Sequence, residues 1–242
     1  MGEPGTGKTR LAATFPDPFF LDLEPDGATT ALPGGVNRIE IPTDSSTLSN
    51  VRKAIQSLAN SKFEDGRLLY QTSAGEISVG TLVIDSIDAL QRAVASFEIL
   101  KGRTKMEMQD WGVLLEKMSP LVLEWSALSI GVVVVSHVKI KESDDKADKV
   151  RDAVLAVRGA LKDEMPRWFS HILHIVSGPD AKRVVITQPL IRRGFRYLAK
   201  DRHNSLAGIS DQRGVVSLPA EDGYPSSEIA DIICGVSDGR PE

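Results

Sequence analysis

The sequence predicts an α/β fold: a doubly wound, mostly parallel sheet with helices on both faces. Three observations carry that expectation. Apolar runs of strand length alternate with runs of helical spacing along most of the chain. The most apolar run, Ile130 to Ser136, suits the interior of a parallel sheet. Residues Gly2 to Thr9 read Gly-Glu-Pro-Gly-Thr-Gly-Lys-Thr, a complete G-x-x-x-x-G-K-[ST] phosphate-binding loop of the kind that joins a strand to a helix. Only Met1 precedes this loop, so the strand that normally leads into it is expected to be missing from the sequence, through a misplaced start or truncation.

The elements follow in order. Arg10 to Ala13 opens the loop helix, and Phe19 to Leu23 is a short apolar strand ending in acids. Arg38 to Ile41 is a weaker strand. Leu48, Val51, Ile55 and Leu58 recur at helical spacing, which predicts a helix over Thr47 to Ala59 capped by Ser45 or Ser46. Leu68 to Tyr70 and Ile77 to Val79 flank Ser73-Ala74-Gly75, a hairpin pattern. Thr81 to Ile84 is a buried strand. Ile87 to Leu100 and Met108 to Leu128 are helical, with Pro120 expected to kink or split the second. Lys139 to Asp152 is dense in charge and predicts a mobile loop. Ile172 to Val176, Arg183 to Thr187 and Phe195 to Ala199 read as late strands, and Ser226 to Cys234 as a closing helix with Gly235 as its C-cap. A single domain is expected, with a core over about 1–204 and a C-terminal extension over 205–242.

Composition narrows the function. The chain has 242 residues, 41% of them hydrophobic, enough for one full α/β core. A net charge of −4 gives no global nucleic-acid signal, so any DNA contact is local. The one cysteine, Cys234, excludes an internal disulfide and fits a reducing cytosol; its expected place is the inner face of the last helix. No apolar run has membrane-spanning length.

The loop defines the first chemistry. Gly2, Gly5 and Gly7 let the backbone approach phosphates closely, and successive N–H groups form an anion nest. The expected nucleotide contacts are Gly2, Glu3, Pro4, Gly5, Thr6, Gly7, Lys8, Thr9 and Arg10, with Lys8 on the β- and γ-phosphates and the Thr9 hydroxyl on Mg²⁺. Asp85, at the tip of Thr81-Leu82-Val83-Ile84-Asp85, is the expected second metal position. Glu24, at the end of Phe20-Leu21-Asp22-Leu23-Glu24, suits a base for an attacking water, with Asp22 as competitor. His137 follows the most apolar strand and suits a sensor of the γ-phosphate. His171 and His174 read as structural. Lys200 and Arg202 could reach a triphosphate on a neighbouring subunit.

Taken together, Gly-Glu-Pro-Gly-Thr-Gly-Lys-Thr, Phe-Leu-Asp-Leu-Glu, Leu-Val-Ile-Asp-Ser, Trp111-Gly112, Val-Val-Ser-His and Lys-Asp-Arg-His stand in an order that resembles the RecA-like ATPases of bacteriophages, some of which act in single-strand annealing and recombination. The resemblance spans Gly2 to about Asn204. It implies a RecA-like P-loop fold, ATP and Mg²⁺ as ligands, and hydrolysis in phage DNA recombination or replication within the bacterial host cytoplasm. It makes Glu24 the catalytic glutamate and His137 the γ-phosphate sensor. It makes Lys200 and Arg202 trans-acting fingers, hence a homo-oligomeric ring or filament with ATP at subunit interfaces. It also suggests single-stranded DNA as partner, with Lys101, Arg103, Lys105, Lys139 and Lys141 as contacts. The main alternative is an AAA+ helicase loader or remodeller, although that class carries Asp-Glu where Asp85-Ser86 stands. A P-loop small-molecule kinase and a non-hydrolysing nucleotide-binding module are weaker alternatives.

Overall fold

Four strands pair in parallel in one part of the chain, and pairing in the other is mostly antiparallel. The structure is a computed structural model that describes residues 1–24, 29, 32, 36–142, 150–177, 183–218 and 228–235. Two units emerge. The first comprises Met1–Thr14, Ser136–Arg158 and Lys162–Glu242, and the second Phe15–Val135 with Gly159–Leu161.

The second unit is built on a four-stranded parallel sheet in the order β2-β1-β6-β7, with β1 at Pro18–Asp22, β2 at Asn37–Glu40, β6 at Thr81–Asp85 and β7 at Gly131–Val134. All five residues of β6 are buried, as expected for a strand paired on both edges inside an α/β layer. Helix α2 (Thr47–Ala59) has the predicted bounds and buries Leu48, Val51, Ala54, Ile55 and Leu58. Its start differs from expectation. Ser46 makes no side-chain cap; the Asp44 carboxylate instead accepts from the Ser46 N–H and hydroxyl. Helix α3 (Ile87–Ala93) runs into a π-helical stretch, Val94–Leu100. Helix α4 (Met108–Ser126) continues through Pro120, which therefore does not split it. Leu114, Met118, Leu121 and Trp125 are buried on both sides of the proline, so packing carries the helix past its lost backbone bond. The predicted hairpin is β4 (Arg67–Thr72) with β5 (Gly75–Val79), joined by an unpredicted third strand, β3 (Lys62–Glu64).

Strand β7 corrects a further expectation. It ends the four-stranded sheet rather than lying inside it, and its residues are exposed or half-buried. Among the described residues of this unit it pairs only with β6.

In the first unit, helix α1 is Lys8–Ala12. Met1 and Gly2 pair with later segments: Gly2 forms parallel bridges with His137 and Ile175, its N–H donates to the Ser136 carbonyl, and the Ile175 N–H donates to Met1 O. Most late pairings are antiparallel, although Phe195–Tyr197 runs parallel to Arg151–Leu155, so the mostly parallel expectation is met by the β2-β1-β6-β7 sheet. Strand β11 (His174–Ser177) pairs with β12 (Arg183–Ile186), and β12 with β16 (Val215–Ser217). Leu11, Ile175, Val185, Leu206, Val216, Leu218 and Ile229 form their core.

The expected charged loop is corrected as well. Lys139 to Glu142 belongs to β8 (Val138–Glu142), antiparallel to β9 (Arg151–Leu155); residues 143–149 lie outside the described residues. Four of the five β8 residues are exposed, so a strand held by its ladder needs no apolar alternation. Strand β9 continues through β14 (Phe195–Tyr197) to β13 (Leu190–Arg192). Two residues, β10 (His171–Ile172), pair with β15 (Lys200–Asp201), and α5 (Leu161–Trp168) precedes them. Helix α6 (Glu228–Cys234) closes the described chain, with Gly235 in the left-handed region beyond it. Cys234 is exposed, against expectation, because Ile229 and Ala230 take the buried face. Residues 226 and 227 of the expected helix, and Pro25-Asp26-Gly27, lie outside the described residues.

Candidate functional site

In the first unit, the loop from Gly2 to Thr9 is closed on one atom. The Glu3 carbonyl accepts from the Thr6 N–H at 3.4 Å, the Thr6 hydroxyl at 2.9 Å and Lys8 Nζ at 2.9 Å. Gly7 has φ +92° and caps α1 through its carbonyl, which accepts from the Leu11 N–H at 2.9 Å. A Cβ at Gly2 would lie 2.6 Å from both the Ile175 carbonyl and the Thr6 hydroxyl, so only glycine fits this tight approach. Thr9 is buried at the start of α1, and Arg10 beside it is half-buried. A tight turn with left-handed glycines, followed by a helix start carrying Lys and Thr, is a shape that binds phosphate through backbone N–H groups.

In the second unit, the register of β1 and β6 sets Asp22 beside Asp85. The Leu23 N–H donates to the Asp85 carbonyl at 2.7 Å and fixes the two strand tips together. Asp22 is buried and occupied: it accepts from the Glu24 N–H at 3.0 Å and from the Thr29 hydroxyl. Glu24 is only partly buried. Its Oε1 accepts from the Ser86 hydroxyl at 2.6 Å and lies 3.7 Å from Arg92 Nη2, while Oε2 has no bonded partner among the described residues. Ser86 also caps α3, accepting from the Ala89 N–H at 3.3 Å. The two carboxylates that compete in the sequence thus differ in their bonding: Asp22 is spent on shaping the turn, and Glu24 Oε1 on the Ser86 hydroxyl. Asp85 and Asp22 are hard oxygen donors, which fits Mg²⁺. Among the described residues no three His, Cys, Asp or Glu gather to hold a metal, and Mg²⁺ needs no such cage when water and phosphate complete its shell.

Elsewhere in the first unit, Lys200 and Arg202 lie together against residues 166–169. Lys200 Nζ donates to the Pro166 and Phe169 carbonyls at 2.9 and 2.7 Å, and Arg202 Nη2 to the Arg167 carbonyl at 3.4 Å. Burial and the Arg202 charge hold the Lys200 ammonium below its ordinary pKa. Between them, buried Asp201 organises the turn. It accepts from the Ser205 N–H (3.1 Å), the Ser205 hydroxyl (3.0 Å) and the Leu206 N–H (2.8 Å), with His171 Nε2 at 3.3 Å. Burial pushes this carboxyl up, but those donors together hold it below the usual range.

His137 is half-buried; its backbone bridges Gly2, and its carbonyl accepts from the Ala156 N–H. His174 is structural, as expected: it is buried, edge-on to Tyr197, and burial pushes its imidazole down to about 3. Of the expected DNA contacts, Lys101 and Lys105 are exposed, as are Lys139 and Lys141 on β8. Arg103 is engaged with Asp110 at 2.9 Å and Glu107 at 3.4 Å, where it braces the start of α4. Trp111 packs on Gly159, where a Cβ would come within 2.9 Å of the ring.

Sequence reasoning missed the Ser86 and Arg92 contacts of Glu24 and the Asp201 network. Only Ser86 had a legible signal, as a cap residue directly after a strand. Among the described residues no helix is long and apolar enough to cross a membrane.

Comparison with known proteins agrees with this geometry. A family model described as an AAA domain matches residues 1–203. No curated protein matches the chain. With a P-loop motif, a parallel α/β sheet whose tips carry acids, and a match over most of its length, the chain belongs to the AAA domain family.

Proposed function

We propose that this protein is a RecA-like, Mg²⁺-dependent ATPase, stimulated by single-stranded DNA and acting in phage DNA recombination or replication. The observation that carries the reading is the closure of the Gly2–Thr9 loop on the Glu3 carbonyl, which prepares N–H groups and Lys8 for a triphosphate. Family membership supports nucleotide binding and hydrolysis in general; the sequence resemblance supplies the phage and DNA context.

In this reading the loop backbone binds the phosphates, and Lys8 exchanges its bond to Glu3 O for phosphate oxygens. Mg²⁺, held by the Thr9 hydroxyl and Asp85, would neutralise phosphate charge. The Ser86 hydroxyl holds Glu24 Oε1, and Oε2 accepts a proton from the attacking water. His137 senses the γ-phosphate. Lys200 and Arg202 act on the triphosphate of a neighbouring copy in a ring or filament, in the host cytoplasm. A helicase loader would carry a second acid after Asp85; here Ser86 takes that place and bonds Glu24, which favours the RecA-like reading.

The test is ATP hydrolysis with and without single-stranded DNA. Stimulation that is lost in Lys8→Ala supports the proposal. Hydrolysis indifferent to DNA but triggered by a protein partner would favour a loader, and phosphate transfer to a small acceptor a kinase. For assembly, Arg202→Ala and Glu24→Gln subunits are mixed. Recovered activity supports a finger acting in trans; no recovery, with Arg202→Ala alone fully active, refutes it.

A further inference from the structure

Arg183 opens β12, opposite Ser177 of β11, and its side chain lies on the phosphate loop. A Cβ built at Gly7 would stand 3.0 Å from Arg183 Nη1, 3.5 Å from Cζ and 3.6 Å from Cδ. The guanidinium therefore occupies the space that the missing side chain of Gly7 leaves open. Gly7 needs no side chain for its left-handed backbone, and the same absence admits the arginine.

The charge balance of this contact is unusual. Arg183 is half-buried and meets no carboxylate or other acceptor among the described residues. A guanidinium carries five N–H donors and stays charged, so a half-buried one is suited to an anionic acceptor. Its neighbour is the N–H-lined loop, itself electropositive, with Lys8 next in sequence to Gly7. Donors of one sign gathered in one place are reconciled by an anion. A planar guanidinium can grip two phosphate oxygens at once.

We propose that Arg183 is a phosphate-binding residue of the nucleotide site, supplied by the same subunit as the loop and donating to the bound triphosphate. This rests on the reading of Gly2–Thr9 as a nucleotide loop and adds a cation that no sequence motif marks. It also gives the β11–β12 hairpin a role: their pairing carries Arg183 to the loop.

The test is titration of the 242-residue chain with a fluorescent N-methylanthraniloyl-ATP in Mg²⁺, at several salt concentrations. Wild type, Arg183→Gln, Arg183→Lys and Lys8→Ala are compared. Loss of one charge-assisted contact should weaken Arg183→Gln by about tenfold to a hundredfold. Its affinity should depend less on salt than that of wild type. Arg183→Lys should recover part of the loss. If Lys8→Ala loses binding but Arg183→Gln stays within about twofold of wild type with the same salt slope, the assignment to Arg183 is wrong and the loop reading stands. Weakened binding with an unchanged salt slope and no recovery by lysine would mark a packing role and also overturn it. If Lys8→Ala binds like wild type, the loop reading fails, and Arg183 with it.

Discussion

Replacing Asp201 with alanine is expected to cost about 2–4 kcal/mol of folding stability. The magnitude follows from its partners. The Leu206 N–H belongs to a fully buried residue and loses its acceptor, which carries a penalty of about 1–3 kcal/mol. The Ser205 N–H and hydroxyl are half-buried, so water replaces the carboxylate in part, and their loss adds about 1 kcal/mol. The removed carboxylate no longer has to be buried, which keeps the total from rising further. Asp201→Asn keeps one carbonyl oxygen as acceptor and should cost about half as much. The assay is urea unfolding followed by circular dichroism, with the slope checked for change. Linkage gives a second reading. The folded Asp201 carboxyl lies below its ordinary value, so its contribution is complete above about pH 4 and fades as pH falls through the folded value. The difference between wild type and Asp201→Ala should therefore shrink in acid. A wild-type-like midpoint for Asp201→Ala at neutral pH would refute the idea that this carboxylate organises the Lys200–Arg202 turn.

Two further expectations concern buried groups. His174 is buried, its Nδ1 has no partner among the described residues, and its imidazole is pushed down to about 3, so the unfolded chain binds a proton there that the folded chain does not. Stability should fall as pH drops from about 6.5 towards 3, by up to about 1.4 kcal/mol per pH unit from this group. His174→Phe should flatten that dependence in unfolding titrations, and an unchanged slope would count against it. Gly159 has φ +67° and faces Trp111, so Gly159→Ala adds backbone strain and a ring clash. It should lower stability by about 1–3 kcal/mol in urea unfolding, whereas Gly194→Ala, with a similar φ but open space around it, should cost less.

Much of the fold was legible because burial imposes period. The face Leu48, Val51, Ile55 and Leu58 gives α2 its bounds, and the apolar run Thr81 to Ile84 gives β6. Where burial is absent the signal fails. Strand β8 exposes Lys139, Lys141 and Glu142, and β3 exposes Lys62, Phe63 and Glu64, so both are held by ladder bonds that leave no trace in side-chain pattern. Phase is also not order: Ile130 to Ser136 announces a strand but not that β7 ends its sheet. The site divides the same way. Loop residues are readable because phosphate chemistry needs glycines and a Lys-Thr pair at fixed spacing. Ser86 meets Glu24, and Arg183 meets Gly7, only through strand pairing across long separations, which sequence spacing does not reveal.

The most direct measurement of the central claim, that this protein hydrolyses ATP with Glu24 as base, is single-turnover phosphate release by wild type and Glu24→Gln at matched ATP occupancy. Glu24→Gln should bind ATP as wild type does and release phosphate about a hundredfold more slowly, or slower still. Equal rates in the two proteins, or no release by wild type with ATP bound, would contradict it.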